Sequence, residues 1–307
     1  MSVLVLMSGS ESRLDRIQND FSAQGFNEPI WTLNDAFNPA AVELILAWKP
    51  EALDWSTFNK PLVQSFGAGV DHLLSAGLPT DWPVARFMSQ SLKDRMARYV
   101  CAQLNNWQLD MPRLVRAQQA HDWAWHDGVY GERVLILGMG ELGQVVASAL
   151  LAQGYQVEGW SRSGRSVDGV RALTGEAGLN EGLARCDYLI NLLPLTQATR
   201  HFLNAERLQR CATQPVVINV GRGGSLVDAD LLAAIDAGQI GGAILDVFNT
   251  EPLPAGHPFW SHPQVRVTPH IASTSEPSEV IALAIENLNR HRAGKAPLFP
   301  VDLSREY

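Results

Sequence analysis

Cysteine is scarce in this chain of 307 residues: there are three, Cys101, Cys186 and Cys211. Their odd number and wide separation exclude a disulfide framework, and no metal-type spacing joins them. They read as reduced thiols, which points to a cytoplasmic protein. Basic residues are also short, 24 Lys and Arg against 32 Asp and Glu, for a net charge of −8. That balance argues against nucleic acid as the main partner, although it leaves room for a small anion in a locally basic cleft. No run reaches the ~18 apolar residues of a membrane span, so no membrane partner is expected. The opening MSVLVLMSGSES has neither a basic leader nor a long apolar core and is not expected to act as a signal peptide. No internal repeat and no low-complexity tract is visible. With 46% hydrophobic and 18% charged residues, the chain reads as globular and long enough for two domains.

The stretch Arg133 to Gly143, RVLILGMGELG, organises the rest. Val134 to Leu137 has the composition of a strand buried on both faces. It leads into Gly138-Met139-Gly140-Glu141-Leu142-Gly143, and Gln144 to Ala152 continues with helical spacing. A G-x-G-x-x-G between a strand and a helix is the setting in which that motif binds a dinucleotide. Gly138 permits the tight turn, Gly140 lets a pyrophosphate approach the backbone, and Gly143 lets the helix pack on the strand. The helix N-terminus then faces the phosphates.

Before this stretch, Val3–Met7, Ile30–Leu33, Leu44–Trp48 and Leu62–Phe66 are short apolar runs, with a turn at Ser8-Gly9-Ser10 and a helical face at Leu14, Ile17 and Phe21. The alternation predicts a small parallel α/β domain over the first hundred residues. Two of its strands end in the loops Ala47-Trp48-Lys49-Pro50 and Ser65-Phe66-Gly67-Ala68-Gly69-Val70-Asp71. The second could offer backbone N–H groups to an anion, although by themselves its glycines need do no more than make a tight turn. Ser89 to Asp110 has a long helical pattern and is read as the crossing to the second domain. Met111 to Trp125 is read as a further helical piece. His121 and His126 within HDWAWHD suggest a metal site, but no further ligand stands at standard spacing. They are read as exposed polar residues around two packed tryptophans, and no metal is expected.

Later strands are expected at Tyr155–Trp160, Tyr188–Leu193, Pro215–Val220, Gly242–Val247 and Val265–Thr268, a doubly wound sheet. The helix Glu279 to Arg292 is read as returning to the first domain. A carboxylate at the tip of the second strand would select NAD. Here the tip reads Trp160-Ser161-Arg162-Ser163-Gly164-Arg165, and Glu158 lies too early, inside the strand. Ser161, Arg162, Ser163 and Arg165 suit a 2′-phosphate, so NADP is the expected cofactor. Three further strand ends carry charged residues: Gly221-Arg222-Gly223 after Asn219-Val220, Asp246 to Leu253 with Glu251, and Pro269-His270. One Arg, one Glu and one His thus gather at the carboxyl edge of the sheet.

These motifs together resemble the D-isomer-specific 2-hydroxyacid dehydrogenase family. Within it the chain is similar to the branch acting on glyoxylate and hydroxypyruvate. That likeness rests on Ala47-Trp48, Gly67 to Asp71, Arg95-Met96-Ala97-Arg98-Tyr99, Gly159 to Arg162 and Phe299-Pro300-Val301-Asp302. The resemblance implies two Rossmann-like parallel-sheet α/β domains. One is a discontinuous flavodoxin-like substrate domain of residues 1–98 and 270–307, and the other a dinucleotide-binding domain of residues 99–269.

It further implies NADPH-dependent reduction of small 2-oxo acids, glyoxylate to glycolate and hydroxypyruvate to D-glycerate. Arg222 would hold the substrate carboxylate or the adjacent keto oxygen. His270 would give that oxygen its proton. Glu251, on the other ring nitrogen, would fix the imidazole and favour its acid form. The backbone of Ala68 and Gly69 would bind the carboxylate, and Trp48 would limit the pocket. Leu193, Pro194 and Thr199 would line the cofactor cleft, Val220 and Gly221 would border the nicotinamide ribose, and Asp246 would bond the carboxamide. Glu251 stands where formate dehydrogenases of this superfamily carry glutamine, which argues against formate. A homodimer is implied, with Trp107, Trp123 and Trp125 either at its interface or in the domain's own core. Two alternatives stay open: another D-2-hydroxyacid dehydrogenase, or a dinucleotide-sensing interaction protein without catalysis.

Overall fold

Runs of branched apolar residues, most too short for a helix, build two separate sheets. A computed structural model describes residues 2–7, 11–51, 53–123 and 125–307. The turn expected at Ser8-Gly9-Ser10 lies outside the described residues. The chain divides into two compact units, Met1–Leu92 with Thr274–Tyr307, and Lys93–Ser273.

The first unit begins with β1 (Ser2–Met7), α1 (Glu11–Ala23), β2 (Ile30–Trp31), β3 (Val42–Trp48), β4 (Leu62–Ser65), α2 (Asp71–Ser75) and β5 (Val84–Ala85). The chain runs through α3 (Gln90–Gln108) into the second unit. There follow α4 (Met111–Gln119), β6 (Arg133–Leu137), α5 (Glu141–Ala152), β7 (Gln156–Trp160), β8 (Arg171–Leu173), α6 (Gly175–Leu183) and β9 (Tyr188–Asn191). Then come α7 (Ala205–Leu208), β10 (Val216–Asn219), α8 (Asp228–Asp236), β11 (Gly242–Leu245) and β12 (Val265–Val267). The chain returns to the first unit for α9 (Pro277–Arg292) and β13 (Pro300–Val301).

The first sheet has the order β2-β1-β3-β4-β5-β13. Its five parallel strands follow the flavodoxin-like 2-1-3-4-5 order, and β13 adds an antiparallel edge. The returning helix α9 belongs here, as expected: Val280, Ile281, Ala284 and Leu288 are buried, and Asn287 Nδ2 donates to Gln64 Oε1 on β4 at 2.9 Å. The second sheet runs β8-β7-β6-β9-β10-β11-β12, parallel throughout. Its strand order reverses between β6 and β9. Ligands of such sheets bind beside that reversal, at the carboxyl ends of the strands.

Burial follows the two-residue period of a strand. Leu135, Leu137, Leu189, Val217 and Leu245 enter one core, while Val134, Ile136, Ile190, Ile218 and Ile244 enter the core on the opposite face. Each such side chain contributes roughly 1.5–3 kcal/mol on burial, so the central strands form a firm floor for the loops at their ends. All three cysteines are free and buried, and burial pushes the Cys211 thiol up to about 12. Among the described residues no helix is long and apolar enough to cross a membrane.

Four features depart from the sequence reading. The short strands β5, β8 and β13, at or next to the sheet edges, were not expected. The helical piece expected over Met111 to Trp125 ends at Gln119, and His121 sits in the left-handed region at φ +52°. His121 and His126 are therefore not on a helix at all. Trp123 and Trp125 are not packed: they are 97% and 79% exposed. Trp107, by contrast, fills its own unit. The Arg266 guanidinium lies 4.4 Å from its ring centre, and a Cβ at Gly242 would stand 2.2 Å from the ring.

Candidate active site

The three glycines of the Gly138 to Gly143 loop are required for different reasons. Gly138 has φ +102°, and a Cβ there would meet the Leu192 carbonyl at 2.9 Å. At Gly143 a Cβ would lie 2.0 Å from the Gly138 oxygen, so any side chain would lift α5 off the strand. At Gly140 a Cβ would meet no protein atom within 4 Å. The fold therefore demands the outer glycines, whereas the bare backbone at Gly140 opens onto space a phosphate can fill. Gly140 caps α5 with no side-chain hydrogen bond to the helix N-terminus. Met139 packs its side chain over Gly159, and its carbonyl accepts from Gln144 Nε2 at 3.1 Å. Glu141, in the first turn of α5, is ion-paired with Lys93.

The tip of β7 suits a phosphate better than a ribose hydroxyl pair. Trp160 is held by its Nε1 donating to Gly175 O at 2.9 Å and by Phe202, ring centres 5.2 Å apart. Ser161 Oγ is buried and has no hydrogen-bond partner among the described residues. Such a group costs about 1–3 kcal/mol unless something pairs with it. Arg162, Ser163 and Arg165 beyond it are exposed. Glu158 is taken up by Arg171, at 3.0 Å, and by Arg185. Burial pushes its carboxyl up and Arg171 pulls it back. The residues present thus fit a 2′-phosphorylated dinucleotide.

The loops after β9 and β10 are tied together from beneath. Asn191 and Asn219 end these strands side by side in register, and with Ser225 they are wholly buried. Asn191 Nδ2 donates to Asn219 Oδ1 (2.9 Å) and Ser225 Oγ (2.6 Å), while Asn191 Oδ1 accepts from Leu193 N (3.2 Å). Asn219 Oδ1 accepts from Gly221 N (3.3 Å). The Arg222 carbonyl accepts from Asn219 Nδ2 (3.2 Å) and Ser225 Oγ (2.6 Å). Gly221 abuts the neighbouring loop, where a Cβ would meet Leu193 O at 2.8 Å. Thr199 Oγ1 donates to Pro194 O at 2.5 Å and accepts from Thr196 N at 2.8 Å, so its hydroxyl shapes the loop that carries Leu193 and Pro194. The Arg222 side chain is partly exposed, with Nη1 on Gly221 O at 2.8 Å.

After β11 and β12 the structure joins Glu251 to His270. Glu251 Oε2 lies 2.9 Å from His270 Nδ1, and Glu251 Oε1 accepts from Phe248 N at 3.1 Å. Both carboxylate oxygens are thereby fixed, and the ring is held by Nδ1, leaving Nε2 for chemistry. His270 has φ +55°, a conformation costing a non-glycine residue roughly 1–2 kcal/mol. Its N–H donates to Asp246 O at 2.9 Å, which helps to hold it there.

Asp246, 1% exposed, spends its carboxylate on the same turn. It accepts from Thr268 Oγ1 (2.6 Å), Ile271 N (2.9 Å) and Ala272 N (2.8 Å). Burial pushes its carboxyl up, against these three donors. Tyr99 on α3 meets Thr268 Oγ1 at 2.5 Å. The Arg222 and Glu251 turns are neighbours: a Cβ at Gly223 would stand 1.9 Å from the Phe248 carbonyl carbon.

In the first unit, β3 and β4 end in the loops that carry Trp48, Ala68 and Gly69. The Trp48 ring lies against Gly67, where a Cβ would be 2.5 Å from its Cζ3, and 4.9 Å from the His72 ring. Ser65 Oγ donates to Gly69 O at 2.9 Å and accepts from Gly67 N at 3.3 Å. The N–H groups of Ala68 and Gly69 have no acceptor among the described residues. Among those residues, too, no group of three His, Cys, Asp or Glu is placed to hold a metal ion. The sequence reading missed Asn191 and Ser225, and named Tyr99, Thr268 and Asn219 without giving them a role. An asparagine closing an otherwise apolar strand was the only available signal.

Comparison with known proteins shows the family. The sequence model for the NAD-binding domain of D-isomer specific 2-hydroxyacid dehydrogenases matches residues 102–272. The chain is 35% identical over 271 residues to glyoxylate/hydroxypyruvate reductase A of Yersinia enterocolitica, covering 85% of this chain and 87% of that one. Its fold is similar to that of an NADPH-dependent glyoxylate/hydroxypyruvate reductase from Sinorhizobium meliloti solved with NADP and sulfate. There the TM-score is 0.90 at 34% identity, over 100% of this chain and 99% of that one. It is also similar to a D-isomer specific 2-hydroxyacid dehydrogenase from Xanthobacter autotrophicus Py2 solved with NADPH and MES, with TM-score 0.91, 33% identity and the same coverage.

Proposed function

The chain belongs to the D-isomer specific 2-hydroxyacid dehydrogenase family, and on that premise we propose that it reduces glyoxylate to glycolate and hydroxypyruvate to D-glycerate with NADPH. The observation that carries the reading is the Glu251–His270 pair, 2.9 Å apart, on the turn beside Arg222. When bound, the cofactor supplies the hydride. Gly138 to Gly143 and the N-terminus of α5 hold its pyrophosphate, with Ser161 and Arg162 on the 2′-phosphate. His270 Nε2 gives a proton to the keto oxygen in reduction and takes it back in oxidation. Glu251 keeps the ring oriented. Arg222 holds the oxo acid and stabilises negative charge growing on its oxygen. The substrate carboxylate is assigned to the N–H groups of Ala68 and Gly69, and Trp48 limits the size of the acid. Leu193, Pro194, Thr199, Val220 and Gly221 border the cofactor. Asp246 contributes chiefly by shaping the His270 turn, since three of its roughly four lone-pair directions are taken.

Absorbance of NADPH and of NADH is followed on mixing with glyoxylate or hydroxypyruvate. NADPH is expected to be consumed much faster than NADH with both acids, and Arg162→Ala is expected to narrow that gap about tenfold. Equal rates with the two cofactors would overturn the 2′-phosphate assignment. Turnover of other 2-oxo acids alone would overturn the substrate assignment.

The protein is further proposed to act as a homodimer, joined through the segment that includes α4. Leu109, Val115, Trp123, Trp125, Val129 and Tyr130 are all exposed there. Large apolar side chains gathered in this way mark a surface that another protein covers. Light scattering is expected to return twice the 33.6 kDa of one chain, and Trp123→Ala with Trp125→Ala to lower that value. A wild-type mass of a single chain would remove the dimer.

A further inference from the structure

We propose that Asn191, Asn219 and Ser225 are positioning residues that set Arg222 for the reaction. The proposal rests on the role given to Arg222 above. None of the three is exposed, so none touches substrate directly. Yet two amides and a hydroxyl are buried where apolar strand ends would pack without the cost of removing polar groups from water. Every polar atom among them is used. Asn191 Nδ2 serves both partners, at 2.9 and 2.6 Å. The remaining groups all end on loop backbone: the Arg222 carbonyl twice, the Gly221 N–H once and the Leu193 N–H once.

The peptide that carries the Arg222 side chain is thus held by its carbonyl and by the N–H of the preceding residue. Gly223 closes the third side, because its missing Cβ lets the turn sit directly on the Phe248 backbone. A long guanidinium arm aims only as well as its base is fixed. Misplacement of a reacting group by about 1 Å can cost on the order of a hundredfold in rate. The network therefore fixes the origin of Arg222, while Gly223 fixes that origin relative to the turn leading to Glu251.

The test is a double-mutant cycle with Arg222. Ser225→Ala removes one hydroxyl and little volume, and is expected to lower kcat/KM for glyoxylate about tenfold. Asn219→Ala is expected to lower it about a hundredfold. Thermal unfolding is followed alongside, so that activity refers to folded protein. In an Arg222→Ala background both substitutions are expected to change kcat/KM by less than about twofold, because no guanidinium remains to be placed. Losses of the same factor in both backgrounds would assign the network to general stability and overturn the proposal, as would single variants of wild-type activity. If Asn219→Ala does not fold, Ser225→Ala alone decides between these outcomes. If Arg222→Ala itself retains wild-type kcat/KM, the role of Arg222 falls, and the positioning role falls with it.

Discussion

His270→Ala is expected to lower kcat for 2-oxo acid reduction by about a thousandfold while leaving the dissociation constant for NADPH within about twofold. Hydride addition to a keto carbon leaves charge on oxygen that a proton must neutralise, and the proposed function gives that delivery to His270 Nε2. Its other nitrogen is committed to Glu251 at 2.9 Å, and Glu251 is itself fixed by Phe248 N at 3.1 Å. The imidazole therefore cannot turn to solvent without breaking its contact with a carboxylate that is itself held in place. The glycine loop and the tip of β7 lie elsewhere on the sheet edge, so cofactor affinity is a separate quantity. Glu251→Gln keeps a polar group on Nδ1 and removes the charge, and a loss of about tenfold is expected from it. Stopped-flow absorbance at saturating NADPH measures kcat, and cofactor fluorescence measures binding. A kcat for His270→Ala within tenfold of wild type would sink the general-acid role. A parallel loss of cofactor binding would recast His270 as a residue that shapes the cleft.

The central strands were legible because burial on both faces leaves continuous apolar runs. Val134 to Leu137 and Val216 to Ile218 can hardly be anything else. The three short strands β5, β8 and β13 were not, for the converse reason. β8 buries only Leu173, and β5 and β13 have two residues each, so no period exists to be read. Arg222, Glu251 and His270 could be singled out as candidates because reactive residue types at strand ends stand out against an apolar background. What held them in place could not. The network under Arg222 depends on the register of Asn191 with Asn219, a pairing across 28 residues of sequence that only the folded sheet reveals. Asp246 illustrates the same gap. An acidic residue after a strand suggests a ligand, yet here three donors from the His270 turn consume most of its capacity. Trp123 and Trp125 were misread because tryptophan usually belongs to a core. Their exposure has a physical reason only if another surface meets them.

Arg222→Ala is expected to cost about a thousandfold in kcat/KM, and the way the loss divides identifies which oxygen the guanidinium holds. A guanidinium on the carboxylate binds ground state and transition state alike. Its removal would then raise KM and leave kcat nearly unchanged. A guanidinium on the keto oxygen meets little charge before hydride transfer and almost a full charge during it, so its removal would lower kcat. A contribution to kcat is expected, because the proposed function assigns the substrate carboxylate to the N–H groups of Ala68 and Gly69, which leaves Arg222 for the keto oxygen. The expected result is a fall in kcat of at least about a hundredfold with a smaller rise in KM. Arg222→Lys retains the charge but not the planar fork, and its shorter arm starts from the same fixed backbone. It is expected to recover no more than about a tenth of the lost activity. Steady-state kinetics on both variants, at saturating NADPH, separates the cases. A pure KM effect would move Arg222 to the carboxylate, and full recovery by lysine would show that charge alone, without the geometry its buried supports maintain, is what the reaction requires.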